Sequence, residues 1–442
     1  MRKLLLAVMA CTTTTTLALA VSAPAAHATS NDNRLPRAVD VAPQGPGGVR
    51  TPTGAAAQAH SWMQQAKLSG ASSALFGWSV AVSGSTMVVS APSDNANIGA
   101  AYVYSGAGGT WTLVATLTPS DGLSGDFFGS SVAITPGTIV VGAEGRSSSE
   151  GLAYVFSGGG AFWKLQTELS DPGGAANDFF GAAVAALPST ITVAAAGDNS
   201  NRGAVYSYGM IGGTWVEKAK LSDPVGVAND SFGFGLAANK KTLVVGAPGT
   251  NGFTGAVYVY SPIRGGWIRR ATLASSNGRG CLTTCGAGYG LIGGDYFGYS
   301  VSLNGTTLAV GSPFASVPPA QDGVGQGVSY VFRGQRSSWT QATELYVPAE
   351  TGAAEWFGFN VAVSQSGSIA VNAPYDPLGV ANGATFVFPR HGGTWTSPSK
   401  LTASDGAPGD YFGWQGLATI GTKYVAVGSP YSPNGGVYLF QG

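Results

Sequence analysis

Aligned against itself, this chain repeats Phe-Gly in register seven times, at Phe76, Phe128, Phe180, Phe232, Phe297, Phe357 and Phe412, at spacings of 52, 52, 52, 65, 60 and 55 residues. A chain that repeats one unit at such a period stacks copies of one supersecondary structure, so the repeat limits the fold before any residue propensity does. Each unit reads as four short strands. After Phe-Gly comes an alternating run, Ser79-Val80-Ala81-Val82 in the first unit, then a tight turn and a β-branched run ending in a small-small-Pro tripeptide such as Gly246-Ala247-Pro248. An aromatic strand follows (Ala256-Val257-Tyr258-Val259-Tyr260), then a Gly-Gly turn and a last strand running from a Trp to a Leu six residues on. That spacing holds for Trp62/Leu68, Trp111/Leu117, Trp163/Leu169, Trp215/Leu221, Trp267/Leu273, Trp339/Leu345 and Trp395/Leu401. Alternation, β-branched and aromatic residues and Gly-rich punctuation argue strand rather than helix. Seven units of four strands predict an all-β, seven-bladed β-propeller.

The chain ends bear on closure. The first Trp strand, Trp62 to Leu68, precedes every Phe-Gly, whereas the last unit stops at Val437-Tyr438-Leu439-Phe440 without a Trp strand of its own. The N-terminal strand is therefore expected to complete the last blade, and a closed ring hides the sheet edges that invite aggregation.

Residues 1–28 read as an export signal: Arg2 and Lys3 at the positive end, apolar runs at Leu4 to Met9 and Leu17 to Val21, and a small-x-small cleavage site at Ala26-His27-Ala28. A lipoprotein reading of Val8-Met9-Ala10-Cys11 leaves too short an apolar stretch after Lys3, so plain secretion is preferred. Residues 29–59, rich in Pro, Gly and Ala, read as a leader without a core of its own, and 60–442 as the propeller. Losing the signal removes two of the 22 basic residues and none of the 22 acidic ones, which leaves a net charge of −2. That balance argues against nucleic acid, which needs clustered Lys and Arg. No later run approaches the roughly 20 apolar residues of a membrane-spanning helix. In an oxidising compartment Cys281 and Cys285 are expected to pair locally. A zinc site would want further ligands, and the mature chain's only histidines are His60 and His391.

Phe-Gly followed in register by Gly-Ala-Pro resembles the FG-GAP repeats of integrin α-subunit propellers and of secreted bacterial FG-GAP proteins, over roughly residues 60–442. The resemblance implies adhesion, ligand recognition or assembly, and some related propellers are lectins. It also implies calcium loops of the form Asp-x-Asp-x-Asp-Gly between Phe-Gly and Gly-Ala-Pro, where carboxylates converge on a hard cation. Here those turns begin at Ser83, Thr135, Leu187, Ala238, Asn304, Ser364 and Ile420 and carry no acid. Integrin-type calcium sites are therefore expected to be absent.

Acids gather instead just before Phe-Gly, at Asp126, Asp178, Asp230, Asp295, Glu355 and Asp410, with Ala74 in the first unit. A second Asp lies upstream at Asp121, Asp171, Asp223 and Asp405. These pairs offer oxygen ligands for calcium, but Asp also fixes turns by accepting backbone N–H groups, and recurrence in most units favours the turn role. Strands that zigzag in order place the loops before Phe-Gly and those after Gly-Ala-Pro on one face. That face carries the extra residues around Cys281 and Cys285 and the longer Phe314 to Gly327 loop, and insertions on one face of a repeat array often mark its binding face. The residue after the small-small-Pro tripeptide becomes aromatic in the last three units: Phe314, Tyr375 and Tyr431, with Asp322 and Asp376 nearby in sequence. Such a set suits stacking on a sugar ring or anchoring a protein partner, as against burial under a neighbouring loop. The repeating Trp residues read as packing.

No Ser-His-Asp set or Gly-x-Ser-x-Gly elbow is evident, so no catalytic residues are assigned. The reading is a monomeric extracellular recognition or adhesion module for a glycan or a protein. The alternatives are a carbohydrate-active hydrolase, whose chemistry needs only two acids, and a purely structural surface component.

Overall fold

The second strand of each unit is apolar on both faces, and in the computed structural model it runs through the interior of a four-stranded sheet: Met87, Val88 and Val89, or Leu243, Val244 and Val245, have no exposed surface. The structure describes residues 62–70, 74–107, 109–276, 294–315, 326–347, 355–377 and 380–442. The signal and leader segments, His60, Cys281, Cys285 and Asp322 lie outside the described residues.

Seven antiparallel sheets, each strand paired with its sequence neighbours, form the seven blades of a β-propeller. Blade 1 comprises Val80–Ser83, Thr86–Ala91, Ala100–Ala107 and Thr110–Leu117, and blade 3 comprises Phe180–Leu187, Thr190–Ala195, Ala204–Ile211 and Thr214–Leu221. First strands line the axis and touch their neighbours all the way round, the Leu417–Ile420 strand of blade 7 meeting Val80–Ser83 of blade 1. Closure is by the N-terminal strand: Met63–Leu68 pairs antiparallel with Val437–Gln441, with Lys67 opposite Tyr438 and Leu68 opposite Val437.

The core lies between blades, and the Phe-Gly pair explains the repeat. All seven Phe rings are at most 1% exposed. Each packs on an aromatic of its own blade's third strand, as in Phe128 on Tyr154 at 5.2 Å and Phe232 on Tyr258 at 5.3 Å. Burying each ring stabilises by roughly 1.5–3 kcal/mol. The glycine that follows adopts a positive φ in every blade, and at Gly77 a Cβ would lie 2.4 Å from the Gly436 carbonyl oxygen, so only glycine fits. Of the strand-leading tryptophans, Trp111, Trp215, Trp339 and Trp395 are buried and Trp62, Trp163 and Trp267 half-buried.

Strands in sequence order place the second-to-third loops and the blade-entry loops on one face, here the loop face, and the hairpin turns on the other. In blades 1 to 4 each second-to-third loop holds three consecutive left-handed residues: Asn95–Asn97, Ser147–Ser149, Asn199–Asn201 and Asn251–Phe253. Asn and Ser enter that region only at a cost. In return the turn carbonyls clasp the next blade: Asn97 O accepts from the N–H of Gly125 and Phe127, Ser149 O from Phe179 and Asn201 O from Ser231.

Candidate functional site

The loop face holds two distinct groups of side chains, the blade-entry acids and a run of aromatics. The acids close turns. Asp126, Asp178, Asp230 and Asp410 each accept the N–H of the residue three positions upstream, at 2.7–2.8 Å. Their upstream partners take phenols from the third strand: Tyr154 donates to Asp121 at 3.3 Å, Tyr438 to Asp405 at 2.8 Å, Tyr206 to Asp171 and Tyr258 to Asp223.

Cations complete these networks, each arriving from a different element. Arg146 bridges Asp121 and Asp126, the latter at 2.7 Å. Lys67 lies 2.7 Å from Asp405 and Arg269 3.7 Å from Asp223. Hydrogen bonds from Lys67 and Tyr438 hold the Asp405 carboxyl below its ordinary range. Asp171, Asp178 and Asp198 bring carboxylate oxygens within 4.8 Å of one another, the only such trio found among the described residues. Burial, and then the neighbouring Asp198 and Asp171, push Asp178 up; burial and Asp223 do the same to Asp230. At the trio Lys220 Nζ stands 2.6 Å from Asp198 and 3.9 Å from Asp171, so the chain supplies the positive charge a metal would otherwise bring. Arg146 occupies the position in blade 2 that Asp198 holds in blade 3, and its guanidinium fills the space between the acids.

The aromatics are arranged differently, for they crowd one side of the ring: at the positions flanking Phe-Gly and following the small-small-Pro tripeptide, blades 1 to 4 carry one each, Trp78, Phe127, Phe179 and Phe234, and blades 5 to 7 carry three. Phe314, Tyr375 and Tyr431 fall on the loop face, and the structure links them through residues that flank Phe-Gly. The residue before Phe is Tyr296, Trp356 or Tyr411 in blades 5 to 7, and the residue after Gly is Tyr299, Phe359 or Trp414. With Phe314, Tyr375 and Tyr431 these make nine aromatics in three consecutive blades. In blade 3 the matching positions are Phe179, Ala182 and Gly197.

Ring centroids run without a gap from Tyr296 to Phe314 (4.9 Å), Phe314 to Trp356 (5.1 Å), Trp356 to Tyr375 (4.1 Å), Tyr375 to Tyr411 (5.1 Å) and Tyr411 to Tyr431 (5.6 Å). Trp356, Phe359 and Trp414 are buried beneath; Phe314, Tyr375 and Tyr411 are half-buried and Tyr431 is 41% exposed. The crescent is thus a packed platform with an accessible upper edge. Burial raises the Tyr296 phenol to about 12 and lifts that of Tyr431, so both stay neutral near pH 7. Asp376 is buried, with its carboxylate 2.8 Å from Lys400 Nζ.

At the axis the crescent forms one wall of a cavity of about 290 Å³, whose lining includes Trp78, Tyr299, Phe314, Trp356, Phe359 and Trp414. The opposite wall is small and polar, with Ser130, Ser131 and Ala182, and it carries Glu144. His391 sits in the short Arg390–His391 strand at the third-to-fourth hairpin of blade 6, on the other face of the ring.

Against known families, the model of the FG-GAP repeat matches residues 62–104, 111–156, 163–208, 215–260, 292–332 and 395–440. Together these cover more than half of the chain. The chain belongs to the FG-GAP repeat family. Five of the six matches begin at a strand-leading Trp and end in the third strand of the next blade, so the family unit straddles two blades as the closing strand does. Blade 6 of this FG-GAP propeller lies largely outside the matches, and there the third and fourth strands are broken around Pro389 and Pro398. No curated protein matches the chain.

Proposed function

We propose that this FG-GAP propeller is an exported recognition module whose ligand, a glycan or a protein, docks on the aromatic crescent through Phe314, Tyr375 and Tyr431. The observation that carries the reading is the asymmetry. Residues needed only to pack a propeller recur equally in every blade, as the Phe-Gly rings do, whereas at the three flanking positions blades 5 to 7 carry nine aromatics and blades 1 to 4 only one each, Trp78, Phe127, Phe179 and Phe234. Rigid aromatic platforms with an exposed edge and polar surroundings are what sugar rings and protein anchors require. The N-terminal signal pattern supports export, and no helix among the described residues is long and apolar enough to cross a membrane.

Binding without turnover is favoured over glycoside hydrolysis. That chemistry needs two carboxyl groups flanking the scissile bond, and Glu144 is the one acid among the described residues lining the axial cavity. The acids nearby are held by Arg146, Lys220, Arg269 and Lys67, so recognition does not depend on calcium. The test is binding of the mature protein to a panel of glycans and extracellular proteins, with calcium and with chelator. A hit that survives chelation and is lost in Tyr375→Ala and Tyr431→Ala is expected. A hit indifferent to both substitutions, or abolished by chelator, would overturn the reading.

A further inference from the structure

Glu144 stands where five other blades have a proline (Pro92, Pro248, Pro313, Pro374 and Pro430) and blade 3 has Ala196. The backbone conformation at that position asks for no carboxylate. Glu144 is nevertheless 7% exposed, faces the axial cavity, and has no cationic partner among the described residues. A buried carboxylate without a side-chain counter-charge is costly, and elsewhere on the loop face Asp126, Asp198, Asp376 and Asp405 each have a Lys or Arg nitrogen within 2.8 Å.

Its surroundings narrow what that counter-charge is. The Glu144 N–H donates to Ser130 Oγ at 3.3 Å, and the Ser130 carbonyl accepts Trp78 Nε1–H at 3.2 Å, so Ser130 links the glutamate's backbone to an indole of the cavity lining. Trp356, Trp414, Phe359 and Tyr299 continue that lining. Trp414 Nε1–H is buried and has no acceptor among the described residues. No Lys, Arg or His lines the cavity among the described residues.

We infer that the axial cavity binds an organic ammonium group, held between the Trp78, Trp356 and Trp414 wall and the Glu144 carboxylate, with an oxygen of the same ligand accepting the Trp414 Nε1–H. Ring faces attract a desolvated cation, and one carboxylate neutralises it. The other ligand classes fit less well. An anion meets Glu144 head-on, a neutral ring leaves the carboxylate unpaired, and a hard metal ion wants several converging carboxylates where Glu144 is the one acid in the described lining. A cavity of about 290 Å³ suits a small headgroup or the end of a larger ligand lying on the crescent. The inference rests on this face being a recognition surface, and its test is separable from that of the crescent.

The probes are choline and 3,3-dimethylbutan-1-ol, which share shape and hydroxyl and differ in charge. They are titrated into the whole mature protein with tryptophan fluorescence as readout, since Trp78, Trp356 and Trp414 all line the cavity. Choline is expected to bind at least about tenfold more tightly than the neutral isostere, within the range of desolvated cation–π contacts. Glu144→Gln should bring choline down to the isostere's level, and Phe162→Ala, an exposed ring at a third-to-fourth hairpin on the other face, should leave it unchanged. Trp414→Phe, which keeps a ring and removes the N–H, should erase the preference for choline over tetramethylammonium and guards against a Glu144 variant that fails to fold. Equal binding of choline and its isostere, no binding of either, or a folded Glu144→Gln protein that binds choline as before would each overturn the inference. Loss of the crescent's glycan or protein ligand would not touch it.

Discussion

Replacing Asp178 by Asn separates a turn-fixing acid from a metal ligand. Asn retains an oxygen to accept the Ala175 N–H, now 2.7 Å from Asp178 Oδ2, and removes one of three charges whose oxygens lie within 4.8 Å. Two unit charges at that separation repel by about 1 kcal/mol with water-like screening and by about 3.5 kcal/mol at an effective dielectric constant of about 20. Lys220, bound to Asp198 at 2.6 Å, offsets part of this, so a net gain of about 0.5–1.5 kcal/mol is expected at pH 7, or about 1–2 °C in a chain of this size. The pH dependence carries its own sign. Asp178 has a raised folded-state pKa, chiefly through burial, so wild-type stability is fully present below the unfolded carboxylate range and is lost as pH rises through the folded value. The gap between variant and wild type should therefore open toward pH 7 and close near pH 3–4, about the ordinary Asp pKa. Calorimetry across that range, with millimolar calcium and with chelator, makes the measurement. A variant less stable than wild type at pH 7, or a wild type that calcium raises by several degrees and the variant does not, would refute the structural role and restore a cation to blade 3.

Three further outcomes follow from the packing. Phe232→Ala should cost about 3–5 kcal/mol, as for other fully buried rings, read by chemical denaturation. Arg146→Met should destabilise by about 1–3 kcal/mol, read by chemical denaturation, because it strands Asp126, which is buried, beside Asp121. Removal of residues 62–68 should leave the Val437–Gln441 edge unpaired and drive self-association, seen as higher-mass species in light scattering; a monodisperse monomer would argue against closure by that strand.

Much of the architecture is legible in the chain because a propeller writes each structural demand once per blade. Phe-Gly at a fixed period announces an inter-blade ring and a positive-φ glycine, and the misplaced Trp62 to Leu68 strand announces closure. A third of the aromatic set was visible: Phe314, Tyr375 and Tyr431 stand out after the proline, while Tyr296, Trp356, Tyr411, Tyr299, Phe359 and Trp414 hide beside the motif used to count repeats. Comparing the residues on either side of Phe-Gly, blade by blade, would have revealed them.

What the sequence by itself determined is therefore whatever repeats: strand number, blade number, ring closure and the inter-blade core. Only the tertiary structure decided the partners. Lys67 reaches Asp405 across 338 residues because closure makes their strands neighbours, and Arg146 and Lys220 meet their acids from different elements of their blades. Glu144 and Trp414 come to line one cavity only because seven first strands converge on one axis. Local patterns record the hydrogen bonds and alternation that a segment satisfies with its sequence neighbours, whereas charge pairing and cavity shape depend on distances set by the closed ring.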